Sequence, residues 1–482
     1  MQHKSGNSRK QAVIIRSLDE MVSKDNSARL IDTIVDNMDT SYFVNARTKN
    51  TGRPPYNPKD MLKLYIYGME NGIMSSRKLE RECKRNIEVM WLINELTPES
   101  KTICNFRRDN VENISRFFTE FCLNLKNQGY IDGKIMAIDG TKIRANNSKR
   151  NNFSAKKLDR HIAYIDEKIV SYLSDVEKND KIEELQERKA KYENYKIRIK
   201  EENISEISTT DPDARLMSSN NNGVDVSYNI QSVVDAKNKL IAGMSVTTSA
   251  ADAGQLAKVM PKVKQALNLD KITVLADKGY YKTEDFKICE DNNITTIVAK
   301  NEPAKQEIYS IDNFTYDLEA DIYICPNNEK MFPGKLDKKG YREYKNYRAC
   351  RNCPQKDYCT KGNRRVIKRH KDKSSAEEND RRLKENSVLY KQRQMLVEHP
   401  FGTIKRTMGI RQFLTRGKRS VKAEVALIFL CYNLKRLRKI WQDGKKKAGI
   451  NSFLSSLLTI FLQLPQNLMS YCKNKSFYAN IY

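Results

Sequence analysis

The sequence predicts an α/β protein: a mixed sheet with flanking helices, broken by two insertions and preceded by a helical region. Three observations predict it. Short apolar runs alternate with helical patterns between residues 135 and 299. Charged stretches interrupt that series at 150–205 and again at 303–385. Residues 59–125 read as helices throughout. At 482 residues the chain is too long for one ordinary domain. An apolar fraction of 39%, with 24 Tyr and 15 Phe, is enough to bury a sizeable core.

Each element follows in order. Residues 1–50 are polar and mixed, and RPPYNP (53–58) makes a rigid entry. Helical patterns then run through MLKLYIYGM, SSRKLERECKR, IEVMWLI and KTICNFRRDNVENISRFFTEFCLNL, with Ser75 or Ser76 as the cap of the second. Arg77, Arg81, Lys84 and Arg85 suit a small helical DNA-binding unit, and equally the solvated face of an ordinary bundle. IMAID (135–139) is a buried strand. Leu158, Ile162, Ile165, Ile169, Tyr172 and Val176 step by three or four, and Ile182, Leu185, Tyr192 and Ile199 follow a polar turn; this is a charged helical hairpin. VSYNIQSVVD (226–235) and KLIAGMSVTT (239–248) form an antiparallel pair. A helix at 252–267, a strand at 271–276, a helix at 282–291 and a strand at 294–299 complete the series. Helical signals return near Asn386–Val397.

Charge narrows the function. Lys+Arg number 87 against 60 Asp+Glu, a formal net charge of +27, and a globular chain with that excess usually meets nucleic acid. No stretch offers 18 uninterrupted apolar residues, so no membrane span is expected. The opening MQHKSGNSRKQ lacks the apolar core of a secretory signal, and the 10 Cys are scattered, which points to a reducing cytoplasm.

Three acids fall where chemistry is expected. Asp139 ends the first strand, Asp277 ends the fourth, and Glu398 lies in the helical region after the second insertion. Adjacent parallel strands would bring the two Asp to one sheet edge, with Glu398 supplied by a packed helix. Carboxylate oxygens there suit Mg²⁺ or Mn²⁺, and two such ions clamp an in-line phosphoryl displacement. An Asp at a strand end is also a common turn former, and Asp132, Asp211, Asp213, Asp235 and Asp252 compete for the role.

The segments AIDGTKIRANNS (137–148), STTDPDARLM (208–217), YNIQSVVDAKNKLI (228–241), VLADKGYY (274–281) and VEHPFGTIKR (397–406) resemble bacterial insertion-sequence transposases of the DDE type. RPPYNPKDMLKLYIYGMENGIMSSRKLE (53–80) resembles the helical N-terminal region of the same group, so the likeness spans roughly 50–440. It implies an RNase H-like fold and assigns the triad to Asp139, Asp277 and Glu398. The family's acidic helix carries Tyr-x2-Arg-x3-Glu-x6-Lys. Here Tyr390, Arg393, Glu398 and Lys405 stand out, with four residues rather than three between Arg393 and Glu398. That shift turns Arg393 about 100° from the expected face. Pro400 is expected to disturb the helix.

Cys325, Cys350, Cys353 and Cys359 lie within 35 residues, and four thiolates suit one structural Zn²⁺; reduced, half-buried cysteines are the alternative. Residues 401–450 hold 14 Lys/Arg against two acids. Lys405, Arg406, Arg411, Arg416, Lys418 and Arg419 follow Glu398 and are the expected DNA phosphate contacts. FLSSLLTIFLQL (453–464) reads as a docking helix.

Expected domains are 1–130, helical and DNA-binding or dimerising; 131–302, the first part of the core with its hairpin insertion at 150–205; 303–385, the Cys-containing insertion; 386–440, the core's C-terminal part with Glu398; and 441–482, a basic and apolar tail. The expected activity is a transposase that cuts the ends of an insertion sequence and joins them to target double-stranded DNA, as a homodimer at the nucleoid. A nuclease without strand transfer and a catalytically silent DNA-binding derivative are the alternatives.

Overall fold

The computed structural model describes residues 17–44, 54–173, 179–219, 223–300 and 308–448. The expected docking helix at 453–464 lies outside them. Thirteen strands are described in chain order: β1 (Ile135–Arg144), β2 (Asn152–Ser154), β3 (Glu206–Ser208), β4 (Arg215–Ser219), β5 (Gly223–Asp235), β6 (Ile241–Thr247), β7 (Ile272–Ala276), β8 (Ile294–Val298), β9 (Thr315–Asp317), β10 (Ile322–Ile324), β11 (Lys330–Leu336), β12 (Tyr341–Lys345) and β13 (Val366–His370). The main sheet is mixed, in the order β4-β5-β1-β7-β8 with β6 also on β5. By packing, the chain divides into two compact units: Met1–Gly133, Gly140–Ala250 and Leu396–Tyr482 form the first, Lys134–Asp139 and Ala251–Met395 the second. The five expected domains follow chain order, whereas these units follow contact.

The first unit is built on two apolar helices. Asn57 caps Pro58–Glu70 by accepting from the Lys59 N–H, with Pro58 in the first turn, where its missing N–H costs nothing. Every residue from Met61 to Met69 is buried, so this helix is central rather than amphipathic. The long helix Lys418–Ala448 buries Val425 to Leu430 in an unbroken run. Cys431 Sγ donates to the Ile66 carbonyl, and Phe429 meets Phe118 edge-on with ring centroids 6.3 Å apart. Ser75 takes the cap position of Ser76–Cys83 without a side-chain bond. Glu80 instead accepts from the Ser100 N–H at 3.0 Å and ties this helix to the helix Ser100–Asp109.

The hairpin insertion is two helices, Ala155–Tyr172 and Asn179–Glu201. They close on their own core of Phe153, Leu158, Ile165, Tyr192, Ile199 and Ile207. The β4–β5 and β5–β6 pairs are antiparallel; the sequence reading had no strand at β4.

In the second unit β7 pairs in parallel with β1 and with β8. Ile272, Val274, Leu275 and Ala276 are buried, as a parallel strand covered on both faces requires. Helix Lys373–Glu385 is fixed to β8 by Asn379, whose amide donates to the Val298 carbonyl and whose oxygen accepts the Val298 N–H. The second insertion folds as a five-stranded antiparallel sheet, β13-β12-β11-β10-β9, around Phe314, Tyr323, Met331, Tyr344 and Ile367.

Candidate active site

The register of β1 and β7 decides the position of the two aspartates. Ile135, Met136 and Ala137 pair with Thr273, Val274 and Leu275. Continued two residues, the same offset sets Asp139 opposite Asp277, on strands spaced about 4.8 Å apart. Both follow fully buried residues, Ile138 and Ala276, and are themselves half-exposed. The chain therefore delivers two carboxylates at one level where the buried apolar runs end; β1 itself does not stop at Asp139, as expected from sequence, but continues to Arg144.

The turn after β7 orients Asp277. Its Oδ1 accepts the Gly279 N–H at 2.8 Å, capping the short 3-10 turn Lys278–Tyr280. A Cβ at Gly279 would stand 3.0 Å from Asp277 Oδ1 and 3.8 Å from Asp252 Oδ2. A side chain there would press on the Asp277 carboxylate and come into ordinary contact with that of Asp252. Asp252 thus joins Asp277, although in the sequence it was one competing acid among several. No strand pattern marks it, since it precedes a helix, Leu256–Ala266. Buried Asp285 holds that segment by accepting from the Ala257 N–H, and burial pushes its carboxyl up.

The helix Ser387–Gly402 brings Tyr390 near Asp277. Burial raises the Tyr390 hydroxyl pKa, the Asp277 charge adds to the rise, and Arg393 opposes it through charge and a hydrogen bond. Arg393 also stands over the Tyr390 ring, 5.9 Å from its centroid. Glu398 lies on the same helix and is exposed, between buried Val397 and buried Pro400. Beside it, His399 Nδ1 and the Tyr432 hydroxyl share a hydrogen bond of 2.9 Å.

Pro400 does not end the helix at Glu398. The helix continues to Gly402 and then widens into a π-helical turn, Thr403–Thr407, which carries Lys405. There the Thr403 hydroxyl donates to the His399 carbonyl at 3.0 Å. The helix runs through Pro400 although proline lacks the N–H that would bond the carbonyl four residues back.

The other expected cations separate. Arg406, Arg411, Arg416, Lys418 and Arg419 are exposed. Arg419 is paired with Glu112 at 2.7 Å, and the Lys418 N–H is held by Asp213 at 2.8 Å. The expected zinc site is not supported: among the described residues no three His, Cys, Asp or Glu are gathered to hold a metal ion. Cys325 and Cys359 instead pack against the apolar core of the small sheet, and Asn327 donates to Cys353 Sγ at 3.4 Å. Spacing brought the thiols into one neighbourhood, but the apolar core takes up two of them. No helix among the described residues is long and apolar enough to cross a membrane.

Two stretches of the chain match transposase families. Residues 16–109 match the family described as Transposase domain (DUF772), and residues 324–438 match Transposase DDE domain. The second contains Glu398 and Lys405 and begins after Asp139 and Asp277. A search of curated proteins finds no match. Among solved structures, the cryo-EM structure of a piggyBac transposase synaptic complex with hairpin DNA aligns with a TM-score of 0.32 and 9% identity, covering 94% of this chain and 80% of that one. The two matched domains make the protein a DNA transposase. Within that class it is of the DDE type, an enzyme of DNA cleavage and strand transfer that works with a divalent metal ion.

Proposed function

We propose that Asp139, Asp277 and Glu398 are the catalytic carboxylates, that they hold Mg²⁺, and that the substrates are the ends of an insertion sequence and a target duplex. The reading rests on one observation: the parallel register of β1 and β7, continued past Ala137 and Leu275, sets the two aspartates opposite each other. Asp139 and Asp277 suit the ion as a pair; among the described residues no third carboxylate is gathered with them into a metal-holding group, so the place of Glu398 in the set rests on the sequence. Hard carboxylate oxygens suit Mg²⁺, and the side-chain space left open at Gly279 keeps Asp277 unobstructed. When bound, Mg²⁺ supplies Lewis-acid stabilisation of charge on the phosphoryl oxygens. Gly279 fixes the Asp277 carboxylate by its N–H, in the manner of groups that orient metal ligands. Lys405, next in line after Glu398 on the π-helical turn, is proposed to hold a DNA phosphate.

The test is an assay of cleavage and joining on duplexes bearing the element's terminal repeats. Wild-type protein is expected to cut and join with Mg²⁺ and to do neither with EDTA. Cutting without joining would make it a nuclease; neither, with intact DNA binding, would make it a silent binder. We also propose a homodimer on DNA, since two ends must be held together. Sedimentation with and without paired ends measures it, and a monomer carrying both ends would overturn it.

A further inference from the structure

We propose that a basic cleft in the first unit, at the far end of β1, seats the sugar-phosphate backbone of double-stranded DNA. The inference rests on the transposase reading and names a place where that DNA is held. The cleft has a volume of about 730 Å³ and every residue that lines it is polar or charged. One wall is the end of β1 and the loop after it, with Arg144, Lys149 and Arg150; the other is the segment from Gln412 to Arg416. Asp225 is the only carboxylate among the lining residues.

The walls are fixed before any ligand arrives. The Phe413 N–H donates to the Arg144 carbonyl at 2.9 Å, and the Arg144 N–H to the Arg411 carbonyl at 3.4 Å. The Asn146 amide donates to the Leu414 carbonyl at 2.7 Å, and that of Gln412 to the Ala145 carbonyl at 3.2 Å. Arg144 and Lys149 share Asp225, at 3.6 and 3.2 Å. Arg150 and Arg416 are exposed and form no ion pair among the described residues. Four cations against one carboxylate leave a net positive cleft.

These features select the ligand. A lining with no apolar side chain gives a lipid chain nothing to pack on. Arginine forks and side-chain amides are the groups that contact phosphate and sugar oxygens. The cleft is open and larger than a single anion needs, which fits a continuous backbone. Of the residues expected from sequence to meet DNA, only Arg416 lines it.

The test uses the full chain and a fluorescent random-sequence duplex, titrated from about 50 to 200 mM salt. The double variant Arg150→Ala/Arg416→Ala is expected to lose about tenfold in affinity and to flatten the log K against log salt slope by about two. Specific and random duplexes should be affected alike. Asp225→Asn is expected to do the reverse, binding more tightly with a steeper slope. Thermal melting confirms that both variants fold. A double variant with wild-type affinity and slope, in a protein that otherwise cuts DNA, overturns the cleft and leaves the transposase reading standing. Inorganic phosphate competing at the concentration of the duplex would make this a small-anion site instead. Wild-type protein that binds no duplex at any salt overturns both readings.

Discussion

Two groups of aspartates in this protein look alike in sequence and differ in what the fold asks of them. Asp211 and Asp213 lie in the DPDA run; Asp139 and Asp277 follow apolar strands. Asp211 is fully buried, and its Oδ1 accepts the Tyr228 hydroxyl at 2.7 Å and the Gly417 N–H at 3.1 Å. Asp213 accepts the Lys418 N–H at 2.8 Å. Both acids hold the start of the helix Lys418–Ala448 in place. Asp277 accepts a bond only from its own turn among the contacts described above and stays half-exposed. Partners and burial, rather than sequence neighbours, separate an acid that fastens the fold from one left for chemistry.

The comparison breaks most visibly at Asp139 and Asp277. Asp139→Asn or Asp277→Asn is expected to lower the rate of DNA cleavage by about 10³ or more, equivalent to about 4 kcal/mol of barrier. The melting temperature and DNA affinity should stay close to wild type. A variant that cuts at the wild-type rate removes that residue from the site.

Asp211→Ala should show the opposite pattern. It leaves the buried Tyr228 hydroxyl and the half-buried Gly417 N–H without their acceptor, at a cost of about 2–4 kcal/mol. Chemical denaturation reads the loss, and the cleavage rate per folded molecule should be unchanged. If activity fell while stability held, the two groups of acids would not be distinct.

Gly279→Ala sharpens the contrast within the second unit. The added methyl would meet Asp277 Oδ1 at 3.0 Å and move the carboxylate by a few tenths of an ångström. A loss of about tenfold in cleavage is expected, about 1.4 kcal/mol, with a change in melting temperature too small to explain it. An unchanged rate would mean that the orientation of Asp277 is not set by this turn.

The smallest effect concerns His399. Burial, then the charges of Arg436, Lys239 and Lys439, hold its imidazole below the ordinary range. Below about pH 6.5 the unfolded chain takes up a proton that the folded ring resists, so stability present above that pH is lost as pH falls. His399→Gln should therefore lose less melting temperature than wild type between about pH 7.5 and 5.5. Equal losses would remove His399 from the acid response.

Much of the fold was legible because burial leaves a local period. The strands expected at 271–276 and 294–299 appear as Ile272–Ala276 and Ile294–Val298, and the hairpin helices as Ala155–Tyr172 and Asn179–Glu201. Those runs are apolar at a spacing of two, throughout, or at three and four, and a residue's own neighbours report that. The sheet of the second insertion was not legible. Its strands are short, and β11 carries Pro333 and Gly334 with a shift of register, so no alternation survives to be read. Asp139 and Asp277 were legible as candidates because each ends an apolar run.

Long-range pairing decided the rest. Asp252 gained its place only when the chain turned back past Gly279. The cleft exists because Arg144 and Gln412 are bridged in parallel, although the chain between them is most of the protein. Zinc spacing gave way to an apolar core that claims two of the thiols. The sequence alone determined most helices and strands outside the second insertion and which acids follow an apolar run, because those follow from local hydrophobic period and chain stiffness. Which acids stand together, which are consumed by structural hydrogen bonds, and where the cations converge were decided by tertiary packing, because each depends on contacts between residues hundreds of positions apart that no local pattern records.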